Sequence, residues 1–223
     1  FKGRDKKPAL ILKTCAVGGS NSDREEMLRR IDLIRESCQG DDLPNVYLLH
    51  GDFTDVEMNE IYNHHKVKAM ISLTKGEGFG RPLLEFSLTK KPIVTSNWSG
   101  HIDFLSKSNA ILLGGVLEDV SKNSFPENFY QEGMKWFTVN YQEASVKMKD
   151  VYKSYRKYTL NAKKLTMFNK SKFSLDSMTV EFGKILDKYV PEFPKEVKLE
   201  LPKLNKVSEV EAPKIKLPKL KKV

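Results

Sequence analysis

The chain has 223 residues, with 39% hydrophobic and 30% charged residues and a formal net charge of +9. That length suits one large domain or a medium domain with appendages, and the polarity implies that part of the chain lies outside any packed core. No stretch approaches the roughly 18 apolar residues of a membrane span. No basic run interleaved with aromatics marks a nucleic-acid surface. Cys15 and Cys38, without CxxC spacing, read as small buried or half-buried residues in a reducing compartment.

Residues 1–7 read as the interior of a longer sequence, so a fragment is expected, and a signal peptide could lie outside it. Residues 8–14 (PALILKT) form a short apolar run expected to be a buried parallel strand. Ser22 and Glu25 have capping-box spacing. Met27, Leu28, Ile31, Ile34 and Cys38 recur at helical intervals, which predicts an amphipathic helix over 24–38 ended by Gly40. A strand is expected over 45–49 (NVYLL). The turn HGDFTD follows, then a helix capped by Asp55 and running to about Asn63, with Met58, Ile61 and Tyr62 inward. A third strand spans 67–73, a helix runs from Arg81 to about Thr89, and strands follow at 92–96 (PIVTS) and 109–113 (NAILL). This alternation means right-handed βαβ crossovers and a parallel sheet, whose ligands bind beyond the carboxyl ends of its strands. HGDFTD and KGEGFGRP both fall at that edge.

The pattern weakens after Gly114. Residues 134–139 (MKWFTV) read as a short strand or a packed turn. A helix is expected over 141–158, with Ala144, Met148, Val151, Tyr152 and Tyr155 on one face, and residues 160–168 continue or restart it. A last helix spans 175–189, with Met178, Phe182, Ile185 and Leu186 as apolar contacts. Residues 191–223 hold nine Lys and five Glu, and LPKLNKV at 201–207 recurs as LPKLKKV at 217–223. Proline every few residues forbids helix. The expectation is a disordered tail, or else an extended arm for a partner's sheet edge or an anionic surface.

The loop Gly76-Glu77-Gly78-Phe79-Gly80 places glycine at every second position, which lets a ligand approach the backbone. Pro82 suits the first helical position, and free N–H groups there make an anion site. The spacing is neither that of a dinucleotide fingerprint nor of a P-loop. Glu85, in the expected first helical turn, could accept from the two hydroxyls of a ribose, and Glu77 from a hexose. The residues alone equally allow two exposed acids beside a helix start. His101 reads as an acceptor or sugar contact, or as a polar loop histidine. His64 and His65 read as exposed, Asp103 as the cap of a short helix, and Trp98, Trp136 and Phe137 as packing. No Asp-x-Asp occurs, and the His and Cys residues lack ligand spacing, so no metal is expected.

Glu77 and Glu85 form a Glu-x7-Glu pattern set in KGEGFGRPLLEFSLTKKPIVTSNWSG. This resembles the donor-binding domain of retaining GT-B glycosyltransferases of the large "group 1" family, with the match most specific over 69–105. The resemblance implies an α/β fold, a Rossmann-like parallel sheet flanked by helices that forms the C-terminal half of a GT-B fold. It divides the chain into a nucleotide-sugar domain over 1–140 lacking its first strand, C-terminal helices over 141–190 packed on it, and the tail over 191–223. It implies glycosyl transfer with retention from a nucleoside-diphosphate sugar, a co-substrate rather than a cofactor, without metal. Glu77 would meet the transferred sugar as the catalytic group. Gly76, Gly78, Phe79, Gly80 and Lys75 would lie along sugar and phosphate, and Glu85 on the ribose. His50, Phe53 and Asp55 would lie near the base, with Ser99 and His101 near acceptor or sugar. The family's Arg/Lys diphosphate clamp and N-terminal acceptor domain are not matched here, so weak donor binding and no turnover are expected of this chain alone. A cytoplasmic protein, or one peripheral to a membrane, is implied. A sugar-nucleotide epimerase on the same architecture and a non-catalytic module working through its basic tail are the rival readings.

Overall fold

The computed structural model describes residues 7–14, 20–38, 43–124 and 129–191. The expectations for Cys15, for Gly40 as a helix end and for the tail beyond Pro191 lie outside the described residues.

Strands β1 (Leu10–Lys13) and β2 (Val46–Leu49) pair in parallel, with Leu10 opposite Val46. Helix α1 (Asn21–Ser37) connects them. Its cap is Ser20, not Ser22: Ser20 has the extended backbone a cap needs, and its Oγ accepts from the Asp23 N–H. Helix α2 (Asp55–Asn63) is capped by Thr54 rather than Asp55. Thr54 and Glu57 form a full capping box, the Glu57 carboxylate accepting from the Thr54 N–H at 2.8 Å. Two orphan donors are satisfied that way, which a cap at Asp55 could not match because Met58 would stand in the Glu place. Cys38, at the end of α1, is an exposed free thiol rather than a buried one.

Strands β3 (Met70–Ser72), β4 (Ile93–Ser96) and β5 (Ile111–Leu113) form a second parallel sheet in the order β3-β4-β5. Met70 stands opposite Ile93, and Val94 opposite Ile111. Every residue of the central strand β4 is buried. Side chains alternate across a strand, so Ile93 and Val94 enter different cores. Ile93 joins Leu83, Phe86, Phe104, Leu105 and Leu165, while Val94 joins Ile111, Leu113, Phe137, Val139 and Val151.

The sequence predicted a single parallel sheet, but among the described residues the parallel strands lie in two. The run at 8–14 was expected to be a buried strand, but β1 and β2 contain no buried residue and Leu10 and Ile11 stay exposed, because among the described residues β1 has only β2 beside it.

Strands β6 (Gly115–Asp119) and β7 (Lys135–Val139) pair antiparallel, with Gly115 opposite Val139. β7 decides the earlier choice between strand and turn. β6 escaped the sequence reading because all five of its residues are exposed and no alternation against a core marks it.

The expected helix over 141–158 is two helices, α4 (Tyr141–Lys153) and α5 (Tyr155–Lys172). Ser154, with φ −115° and ψ 35°, breaks them. α5 buries Ala162, Leu165, Thr166 and Asn169. It is joined to Ser87, the last residue of α3 (Arg81–Ser87), by two bonds. The Thr166 Oγ1 donates to the Ser87 carbonyl and the Asn169 Nδ2 to the Ser87 Oγ, both at 2.7 Å. Ser87→Ala should strand that Asn169 amide in the core and cost about 1–3 kcal/mol. Urea unfolding measures it, and a loss under about 0.5 kcal/mol, the range of an ordinary surface change, would contradict the pairing.

Helix α6 (Leu175–Tyr189) has the bounds expected from sequence but no buried residue. Met178, Phe182, Ile185 and Leu186, expected as apolar contacts, are all exposed. The chain divides into two compact units, Phe1–Glu181 and Phe182–Val223, and α6 begins in the first and ends in the second. No helix among the described residues is long and apolar enough to cross a membrane.

Candidate functional site

The glycine loop that follows β3 is held by the loop that follows β4, at the carboxyl edge of their sheet. The Ser99 hydroxyl donates to the Glu77 carbonyl and accepts from the Glu77 N–H at 3.0 Å. The Gly100 N–H donates to the same carbonyl at 3.0 Å. Ser99 adopts φ +80°, a strained value for a residue with a side chain. Three hydrogen bonds to one residue's backbone offset that strain. The approach is closest at Gly100, where a Cβ would lie 2.0 Å from the Gly78 carbonyl oxygen. Gly80 has φ +86°, and a Cβ there would stand 3.0 Å from the His101 Cβ. Gly78 faces open space, with nothing within 4 Å of a Cβ. Among the described residues, the N–H groups of Gly78, Phe79 and Gly80 have no protein acceptor.

Beside this loop, α3 starts at Arg81 as expected from sequence, but Pro82 does not hold the first helical position. Arg81 is its first residue and Pro82 its second, after Gly80 as cap. Glu85, the fifth residue of the helix, therefore sits in the second turn rather than the expected first, where the N-terminal dipole has decayed. Its partner is Arg81, whose Nε donates to Oε1 of Glu85, while Nη2 reaches Oδ1 of Asp55 at 3.0 Å. This Asp55–Arg81–Glu85 chain ties α2 to α3. The Asp55 side chain is 92% exposed, so salt screens its pairing with Arg81 strongly. The hydrogen bond and charge of Glu85, then the charge of Asp55, hold the Arg81 guanidinium above its usual pKa. Burial, then the Glu85 charge, pushes the Tyr62 hydroxyl up. Sequence reading passed over Arg81, although the Arg-x3-Glu spacing was its signal.

Other predicted positions have other partners. The Lys75 Nζ donates to the Thr138 Oγ1 at 2.6 Å and lies 4.8 Å from the Trp136 ring centroid, so it is engaged with β7. The His50 side chain is only 7% exposed, its Nε2 lying 3.9 Å from Oδ2 of Asp23. Phe53 lies under the Lys13 ammonium at 5.8 Å. His101 is fully buried rather than a polar loop residue. Its Nε2 stands 2.7 Å from the Ser96 carbonyl, and its Nδ1 is buried without a partner. Asp103 ends a short 3-10 turn, Gly100–Asp103, instead of capping a helix. The Phe79 ring packs on Phe104 at 5.2 Å, and Trp98 stacks on Phe137 at 5.9 Å. Gly76 lies against Ser99, with 3.7 Å between a Cβ there and Oγ.

The geometry thus makes two clusters. Glu77, Gly78, Gly80, Ser99 and His101 share one with Gly100, and Asp55 and Glu85 share the other with Arg81. His50, Phe53 and Lys75 belong to neither: the His50 Nε2 is buried without a hydrogen-bond partner, Phe53 lies by Lys13, and Lys75 is engaged with β7. Chemically, the first cluster offers unpaired backbone donors beside an open glycine, an arrangement suited to an anion. The second keeps one carboxylate oxygen of Glu85 outside its bond to Arg81.

No protein-family profile matches the chain, and no curated protein matches it. Among solved structures, the fold is similar to that of Anabaena Alr3699/HepE. In complex with UDP-glucose, that protein matches with a TM-score of 0.55 and 15% identity, over 81% of this chain and 41% of that one. In complex with UDP and glucose it matches with 0.56 and 15%, over 81% and 40%. In complex with UDP it matches with 0.55 and 16%, over 81% and 41%. The likeness is one of fold, and the chain spans about two fifths of the length of the structures it matches.

Proposed function

We propose that this chain is the donor-binding portion of a glycosyltransferase that moves a sugar from a nucleoside-diphosphate sugar to an acceptor. The observation that carries the reading is the pinned loop, a rigid turn at the ligand edge of a parallel sheet with free backbone donors and an open glycine. Oxygens of a diphosphate would accept from the N–H groups of Gly78, Phe79 and Gly80, as charge-assisted bonds. The close approach this needs is what an uncrowded Gly78 allows. The Glu77 carboxylate, on a backbone fixed by Ser99 and Gly100, would meet the sugar. The free oxygen of Glu85 would accept from the ribose. The fold likeness to a protein that holds UDP-glucose supports the same reading.

The finer assignment follows the Glu-x7-Glu resemblance. Transfer is with retention, of a hexosyl group, in a GT-B enzyme acting without metal on the cytoplasmic side. The departing diphosphate is stabilised by loop N–H groups and by cations. A facing acceptor domain and one more parallel strand, between β1 and β3 in sheet order, complete the enzyme. Lys75 and Arg81 are engaged with protein groups, so a further basic clamp for the diphosphate belongs to that remainder.

The test is calorimetric titration of the full-length protein with UDP-, GDP- and ADP-sugars, with chelator present. One sugar nucleotide should bind, and Glu85→Ala should weaken it about ten- to a hundredfold, the worth of a hydrogen bond to a charged group. If no nucleotide binds, or if Glu85→Ala leaves affinity unchanged, the donor-site reading is wrong.

A further inference from the structure

The outer face of α5 combines cations and apolar side chains without a single acid. The helix carries Arg156, Lys157, Lys163, Lys164, Lys170 and Lys172 and neither Asp nor Glu. Its inner face is set by the burial of Ala162, Leu165, Thr166 and Asn169. At 3.6 residues per turn, positions 156, 160, 163, 164, 167 and 171 share the opposite face. Leu160, 54% exposed, and Met167, 73% exposed, form a spine along it. Lys163 and Lys170 flank the spine on one side, and Lys157 and Lys164 on the other. None of the six cations is in an ion pair among the described residues. A merely solvated helix looks different: on α1, Glu26 pairs with both Arg29 and Arg30.

An apolar stripe bordered by Lys on both sides is the composition of a helix that lies in a membrane interface. We propose that α5 docks the protein on a bilayer surface rich in anionic lipids. Leu160 and Met167 enter the headgroup boundary, and the flanking cations meet lipid phosphates. Charge complementarity selects this occupant: cations with no acid among them attract an anionic surface, and the exposed Leu and Met need an apolar layer that nucleic acid lacks. The opposite face of α5 is joined to α3 through Ser87, so docking would hold the C-terminal end of α3 about one helix diameter, roughly 10 Å, above the surface. This inference is independent of the donor-site reading, and its test involves no nucleotide.

The experiment is vesicle flotation of the full chain with phosphatidylcholine alone and with one third phosphatidylglycerol. Anionic vesicles should carry the protein up and neutral ones should not. Lys163→Gln with Lys170→Gln should weaken binding about thirtyfold, given the contribution of each cation near an anionic surface. Residues 191–223 also hold nine Lys, so a local readout is needed. Met167→Trp should be quenched by brominated-acyl lipid in the anionic vesicles, whereas Val146→Trp, on the exposed face of α4, should not. Equal binding to neutral vesicles, full binding by the double Gln variant, no quenching at position 167, or capture by duplex RNA in place of vesicles would each overturn the proposal.

Discussion

Gly100→Ala is expected to unseat the glycine loop. A Cβ at position 100 would lie 2.0 Å from the Gly78 carbonyl oxygen, 2.7 Å from its carbon and 3.1 Å from the Glu77 carbonyl oxygen. All three are backbone atoms, so no side chain can swing aside and one of the two loops must move. Overpacking of this kind costs about 1–3 kcal/mol, and more where backbone must shift. The movement would also break the Gly100 N–H bond to Glu77 and misalign Ser99, whose positive φ would then be uncompensated. Amide exchange across 74–80 should accelerate, and sugar-nucleotide affinity should fall at least about tenfold, the factor that one lost hydrogen bond commands. Gly78→Ala is the informative contrast. It has open space and should melt within about 0.5 kcal/mol of the parent, as surface changes do, yet still weaken the ligand by filling its approach. If Gly100→Ala leaves both exchange and melting untouched, the two loops are not locked as described.

Phe86→Ala should be the most damaging single core change. Phe86 is fully buried in α3, packs edge-on against Tyr62 at 5.5 Å and shares a core with Leu83, Ile93, Phe104 and Leu165. Truncating a buried Phe costs about 3–5 kcal/mol, transfer and cavity together. Against the usual stability of about 5–15 kcal/mol, that is a large share. The effect would extend to the candidate site, because Glu85 precedes Phe86 and α3 has only seven residues to hold both. Denaturant unfolding gives the loss, and a value under about 1 kcal/mol would mean the cavity collapses or α3 is held some other way.

Much of the architecture could be read from residue pattern because its signals are local. Short apolar runs such as PALILKT, NVYLL and PIVTS became parallel strands, and the bounds of α6 were met. Caps were read less well. Two residues of similar chemistry often stand side by side, and only backbone dihedrals choose between Ser20 and Ser22, or Thr54 and Asp55. β6 was invisible because an exposed ribbon strand is defined by its partner β7, not by hydrophobic alternation.

The sequence by itself determined the order of elements, the two acids eight positions apart and the glycine loop between strand and helix, since each follows from neighbours along the chain. Only the tertiary structure decided what those residues touch. It joined Ser99 and Gly100 to Glu77, some 22 positions away, and Arg81 to Asp55, some 26 away. It turned Lys75 toward β7 and buried His101. It also left the parallel strands in two groups. Such contacts depend on which loops a sheet edge brings together and on strand order, and neither is written in the spacing of residues along one segment.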